Sequence, residues 1–327
     1  MSDTTQWSFR EELQPREDDV DFELQPLLDA VVALRAEIPE DAFTAETLGT
    51  ERGGNGVVID EEGTVLTIGY LITEASSIWL TTREGKVVPA YPLAYDQATG
   101  FGLVRPLATL DLPSISRAGV HQLGRGDRVF MLGHGGRPHA LKARVVETRQ
   151  FAGYWEYLIE QAIFTSPAHP EWSGAALINE RGQLIGIGSL LVQAVESEGA
   201  TEMEQANLSV PVALLEPILS SLLATGSSGL AARPWLGIYA NENDGQVAIM
   251  GIARGGPAAH AGLQQGDLLL DIAGQRVESL AALYGALWGL GPAGVEVPML
   301  VARDGDLLRL RIKSVDRNSL LRRPALH

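Results

Sequence analysis

A chain of 327 residues with 45% hydrophobic content is long enough for about two ordinary globular domains, which excludes a disordered or fibrous protein. Its formal net charge is −16, and residues 1–50 hold 13 acidic side chains against 3 basic ones; with no Lys/Arg stripe interleaved with aromatics, this balance argues against nucleic acid as a partner. Cysteine is absent, which removes disulfides, thiolate metal sites and cysteine nucleophiles together and leaves the redox compartment open.

The start, MSDTTQWSFREELQPREDD, lacks the basic and apolar regions of a secretory leader, and no run of about 18 apolar residues follows it anywhere. As written, the chain reads as cytoplasmic without a membrane span, and as periplasmic if a leader has been removed. Residues 1–48 read as an acidic extension in which Pro26 opens an amphipathic helix, with Leu27, Val31, Leu34 and Ile38 at helical spacing and Pro39 as the stop. From residue 53 the texture changes to short apolar runs cut by Gly, Asp and Pro, among them NGVVIDEEGTVLTIGYLI, SSIWLTTREGKVVPAYPLA and GDRVFMLGHGG. Such spacing predicts an all-β sandwich or barrel reaching about Val210. Ser209-Val210-Pro211 then caps a second helix bearing Leu214, Leu215, Ile218 and Leu222, closed by Gly226. The small, polar stretch GSSGLAAR marks a linker over residues 226–233. Beyond it WLGIYANEN, GQVAIMGIA and LLLDIAGQRV read as strands, Ser279 caps a helix with Leu280, Leu283, Tyr284 and Leu287 on one side, and a hairpin closes the unit before a weakly basic tail at 317–327.

The stretch with the plainest chemistry is EWSGAAL, residues 171–177, where a serine sits on a small-residue turn between two apolar runs. Several hydrolases present a nucleophile this way, so Ser173 is the candidate. A serine hydroxyl is a poor nucleophile at neutral pH and needs a base within about 2.6–3.2 Å, with a third group to hold that base. His169, four residues earlier, and His134 and His139 in LGHGGRPHAL are the nearby imidazoles in sequence. The histidine spacing in HGGRPH is not the i, i+4 pattern of a helical zinc site, and RGGNG and GHGG lack a Lys-Ser/Thr partner, so no metal and no cofactor is expected. Tyr154, Trp155, Tyr157 and Trp172 read as core rather than as pocket lining.

Over roughly residues 49–316 the order of segments resembles the HtrA/DegP-type proteases, which join a trypsin-like double β-barrel (here 49–225) to a PDZ domain (here 234–316). In that family GSGVIID with a D-G turn precedes LTNNHVV, which carries the catalytic histidine; here GNGVVIDEEG precedes VLTIGYLI, which puts Tyr70 in the histidine's place. The family's D-x-x-T-D-L-A-L-L pattern becomes DQATGFGLV, which keeps Asp96 but puts Gly100 where the catalytic aspartate belongs. GNSGGPL becomes EWSGAAL, which keeps Ser173 and Gly174 but puts Glu171 at an oxyanion-hole position. A tyrosine, with an ordinary pKa of about 10, donates rather than accepts at neutral pH. Losing the base alone removes on the order of 10⁴–10⁶ in turnover. A carboxylate at residue 171 would also oppose the developing oxyanion.

The second unit follows the family pattern more closely. RPWLGI resembles its carboxylate-binding loop, and GGPAAHAGLQQGDLLLDIAGQRV its G-S-P-A-x-x-A-G-L-x-x-G-D pattern. The resemblance implies that an extended peptide adds to the strand after Gly237, with its terminal carboxylate on the N–H groups of Trp235, Leu236 and Gly237 and its last side chain between Ile238 and Leu280, Leu283 and Leu287. Two readings follow. The first is a proteolytically inactive homologue that binds peptides, protein C-termini or unfolded segments as adaptor or scaffold, or as partner of an active relative. The alternative is a serine endopeptidase using Ser173 with an atypical base such as His169, or completed by a partner. Trp7 and Phe9 stand where the family's N-terminal aromatics support trimers, which suggests a homo-oligomer.

Overall fold

A computed structural model describes residues 7–119, 122–193 and 205–322, so the last five residues of the expected tail lie outside the described residues. The described residues divide into two compact units: those within 7–149 and 161–229, with 322, form the first, and residues 150–160 with 230–321 the second.

The first unit holds two closed antiparallel barrels. One is built from β1 (Val31–Glu37), β2 (Glu51–Val58), β3 (Val65–Ile68), β4 (Ser77–Thr81), β5 (Val87–Tyr95) and β6 (Phe101–Pro106), closed in the order β1-β2-β3-β6-β5-β4. The other is built from β7 (Arg128–Leu132), β8 (Ala140–Gly153), β9 (Tyr157–Ser166), β10 (Ala176–Ile178), β11 (Leu184–Gln193) and β12 (Gln205–Pro211), closed as β10-β11-β12-β9-β8-β7. Side chains such as Leu66, Leu80 and Phe101 in the first barrel and Met131, Ile163 and Leu177 in the second are removed from water. At roughly 1.5–3 kcal/mol for each large side chain, they supply the main driving force.

The N-terminal segment corrects the sequence reading. The helix is confined to Leu24–Asp29, and Val31, Leu34 and the residues between them lie on β1, a strand of the first barrel rather than part of an extension ending at residue 48. Val31 and Val32 are β-branched, and β1 is paired along one edge with β2 and along the other with β4. Leu34 and Ala36 are buried, Arg35 is exposed, and a two-sided ladder outweighs the weak helical spacing. The expected helix after Pro211 is likewise shorter than its stripe: a single 3-10 turn at Val212–Leu214 precedes Leu219–Thr225, which Gly226 closes in the left-handed conformation.

The second unit is a six-stranded sheet of β13 (Ile238–Asn243), β14 (Gln246–Ile252), β15 (Leu268–Ile272), β16 (Gln275–Arg276), β17 (Glu296–Arg303) and β18 (Asp306–Lys313), in the order β13-β14-β15-β17-β18 with β16 beside β15. Helix Leu280–Trp288, whose cap Ser279 accepts from Ala282 N–H, packs its apolar side onto this sheet. The far ends of β8 and β9 and their connecting turn, residues 150–160, are part of this second unit. No described helix is long and apolar enough to cross a membrane.

Candidate active site and peptide groove

Ser173 is held by a turn that the first barrel staples from below. Asn55, on β2, donates its backbone N–H to Ser173 O (2.7 Å) and its Nδ2 to both Glu171 O (2.9 Å) and Ser173 O (3.1 Å), while its Oδ1 accepts from His134 N–H (2.8 Å). This approach requires glycine on both sides. A Cβ on Gly54 would stand 2.7 Å from Ser173 O, and one on Gly174, which has φ +74°, would stand 1.9 Å from Asn55 O. Sequence reasoning passed over Asn55, although an amide in the strand-forming GNGVV run was a signal, because asparagine is disfavoured in strands unless its side chain is bonded.

Tyr70 comes from the short turn Gly69–Leu71 after β3, and its side chain reaches the serine. The phenol donates its one proton to Ser189 O (2.9 Å) and is hydrogen-bonded to Ser173 Oγ, so Ser173 donates to the phenol oxygen. Desolvation pushes Tyr70 up to about 12 against the opposing pull of its hydrogen bond from Ser173. The phenolate that could act as a base is then present in about one molecule in 10⁵ at pH 7. Behind it Arg52, buried, donates to Tyr70 O (2.7 Å), Thr73 O (3.0 Å) and Thr44 Oγ1 (2.8 Å). Thr44 in turn donates from N (2.7 Å) and Oγ1 (2.7 Å) to Glu74. Burial opposes ionisation of Glu74, but the N–H groups of Arg322, Thr44 and Phe43 and the Thr44 hydroxyl outweigh it and hold the carboxyl below its ordinary value.

Gly100 contributes only backbone to this region: its carbonyl accepts from Gly69 N–H (2.7 Å). The retained acid, Asp96, turns its carboxylate to Thr99 N (2.8 Å) and Thr99 Oγ1 (2.8 Å), which caps its own loop.

His169 is fully buried, and both its ring nitrogens are engaged away from Ser173. Nδ1 accepts from Glu171 N–H (3.0 Å) and Nε2 donates to His139 O (2.9 Å); burial holds the ring below its ordinary pKa, so it is neutral with the proton on Nε2. The alternative base therefore has no lone pair left for the serine. The same contact commits the N–H two residues before Ser173 to the imidazole. Glu171 itself is exposed, and its carboxylate accepts from Trp7 Nε1 (2.9 Å). Trp7 packs edge-on against His139 at 4.5 Å and Phe9 against His169 at 5.0 Å, so these aromatics are seated on their own chain. Among the described residues no three His, Asp or Glu side chains gather closely enough to hold a metal ion.

In the second unit β13 and helix Leu280–Trp288 pack together. Leu280, Leu283 and Leu287 sit in one buried cluster with Leu236 and Ile238. Three consecutive N–H groups, those of Leu236, Gly237 and Ile238, converge on the carboxylate of Glu156, at distances from 2.7 to 3.2 Å. Of the three donors the sequence reading named, Leu236 and Gly237 bond this side chain. Trp235 N–H is not part of it, because it bridges to Val315 O (3.0 Å). Ala258 N–H to Leu236 O (2.9 Å) and Ala253 N–H to Gly237 O (2.8 Å) tie back the loop carbonyls.

Residues 54–187 match the trypsin-like peptidase domain family and residues 234–314 the PDZ domain family. A probable periplasmic serine endoprotease, DegP-like, of Chlamydia muridarum is 27% identical over 276 residues, which cover 79% of this chain and 53% of that protein. The serine endoprotease DegS of Salmonella typhimurium is 26% identical over 278 residues, 79% of this chain and 75% of its own length. The chain thus spans about half the length of its DegP-like relatives. Among solved structures, the HtrA-type protease AlgW with decapeptide shares the fold at TM-score 0.53 and 21% identity, covering 92% of this chain and 98% of that one. With two trypsin-like barrels, a PDZ domain after them and relatives that span both, the chain belongs to the HtrA family.

Proposed function

We propose that this protein is a proteolytically silent HtrA homologue that recognises peptide carboxylates through its PDZ groove, as an adaptor or scaffold. One observation carries the first half: the residue in the base position is a tyrosine that gives its proton to Ser189 O and is hydrogen-bonded to Ser173 Oγ. A neutral phenol oxygen cannot take a proton from an alcohol at neutral pH, and the loss of a base lowers turnover by on the order of 10⁴–10⁶. The capture of Glu171 N–H by His169 supports the same reading, since a missing oxyanion donor costs about 10²–10³ more.

The second half is supported by a loop whose N–H groups are organised to hold a carboxylate, beside a strand at the edge of its sheet. AlgW, which shares the fold, was solved with a decapeptide. The DegP-like relatives are named as periplasmic, and a chain without cysteine suits that compartment as well as the cytoplasm. The test is cleavage of an unfolded protein substrate by the full chain, by Ser173→Ala and by Tyr70→His. All three are expected to match the rate without protein, the last because Gly100 still supplies no carboxylate and Glu171 N–H is still engaged. Cleavage by the unaltered chain that Ser173→Ala abolishes would overturn the reading.

A further inference from the structure

The residue that fills the carboxylate-binding loop lies about 80 positions away in sequence, at the tip of the hairpin between β8 and β9. We infer that residues 153–157 are a built-in ligand of the PDZ groove, with the Glu156 side chain standing in for a peptide's terminal carboxylate, so that an incoming C-terminus binds by displacing this hairpin. The inference rests on the peptide-binding reading above only for the identity of the displacing ligand.

The register is that of an added strand. Glu156 Oε1 accepts from Ile238 N–H (2.9 Å), and two residues earlier Tyr154 O accepts from Ala240 N–H (3.0 Å), two residues later on β13. Among the described residues the bond from Ala240 N–H to Tyr154 O is the one backbone bond on this edge, and the side-chain carboxylate of Glu156 takes the donor two residues back along β13, as the end of an added peptide would. Because β13 is an edge strand, with β14 on its other side, that edge is available for such pairing. The terminal carboxylate of a peptide would be the end of the backbone; here the backbone continues, and Glu156 adopts φ +59°, a left-handed conformation uncommon for glutamate. Residues held in such conformations mark sites where surrounding contacts dictate the bend. Those contacts are present. Tyr284, buried in the helix that forms the groove's other wall, donates its hydroxyl to Gly153 O (2.6 Å) and accepts from Glu156 N–H (3.2 Å). Ala152 and Leu158, on either side, pack against the apolar core of the unit.

The experiment uses the full chain and its Glu156→Ala and near-isosteric Glu156→Gln variants, each checked for a cooperative melt. Amide hydrogen exchange at Leu236, Gly237 and Ile238 is measured without peptide. Binding is measured with a fluorescein-labelled octapeptide ending in leucine with a free carboxylate, and with its C-terminal amide. The expected result is slow exchange in the unaltered protein, exchange at least about 10-fold faster in Glu156→Ala with a smaller change in Glu156→Gln, and at least about 10-fold tighter binding of the free-carboxylate peptide by Glu156→Ala, with protection restored and the amide failing to bind. Unchanged exchange in folded variants, or equal affinity of the unaltered and Glu156→Ala proteins for a peptide that both bind, would overturn the inference. Faster exchange with no peptide bound would uphold the built-in ligand and remove the peptide-binding reading instead.

Discussion

The serine site and the PDZ groove both have their key donors engaged by the chain itself, but in ways that differ in what could undo them. At Ser173 the blocking groups are braced by the barrels: Tyr70 is held by Ser189 O and, through its own carbonyl, by Arg52, and Glu171 N–H is held by a fully buried imidazole. In the second unit the blocking group is Glu156, which is itself buried but sits on a turn whose neighbour Tyr154 is 59% exposed. Donors closed by core contacts stay closed as long as the domain is folded. Donors closed by a single turn can open by local undocking of that turn, at a free energy smaller than that of global unfolding.

That contrast can be broken most severely at Arg52. Replacing it with alanine leaves the carbonyls of Tyr70, Thr73 and Thr44 without their buried donor, and the barrel unit is expected to lose about 2–4 kcal/mol in chemical denaturation without gaining peptidase activity.

A pH series sharpens the other side. Burial pushes Glu156 up to about 7, outweighing the opposing pull of Ile238, Leu236 and Gly237 N–H and of Arg317. Tyr284, which faces it, stays protonated, its pKa raised by burial and by Glu156 and Glu242. Since the docked carboxyl binds its proton more tightly than the free one, docking is strongest below the ordinary glutamate pKa and weakens as pH rises toward 7, levelling off above it. Peptide affinity should therefore rise by up to about 100-fold between pH 5 and pH 8 in the unaltered chain and stay nearly flat in Glu156→Gln. A profile that is the same in both would break the comparison.

Smaller effects come from single hydroxyls. Tyr284→Phe removes the bond to Gly153 O and should tighten peptide binding about 5- to 10-fold, read by fluorescence anisotropy. Tyr70→Phe should cost the barrel unit about 1 kcal/mol in chemical denaturation and, on the proposed reading, leave the rate of cleavage unchanged.

The sequence carried the parts of this account that depend on local pattern. The positions of Tyr70, Gly100 and Ser173 followed from short motifs, and the side chains of Tyr70 and Ser173 do meet. The helix behind Ser279 followed from its cap and stripe. Contacts between distant segments were the hidden part. Val31 and Leu34 fit a helical stripe, and only pairing with two strands far along the chain makes them a strand. Asn55 and His169 each look like loop or strand residues until the turn at 171–174 folds against them. Glu156 was visible as a lone acid in the aromatic run GYWEYL, but nothing near it indicates that its carboxylate belongs to a loop beginning at Leu236.

The central claim, that the Ser173 hydroxyl has no working proton acceptor, is tested most directly by exposing the full chain to a fluorophosphonate at pH 8 and measuring the intact mass beside that of Ser173→Ala. The account expects no adduct on either protein. A stoichiometric adduct on the unaltered chain that is missing from Ser173→Ala would contradict it.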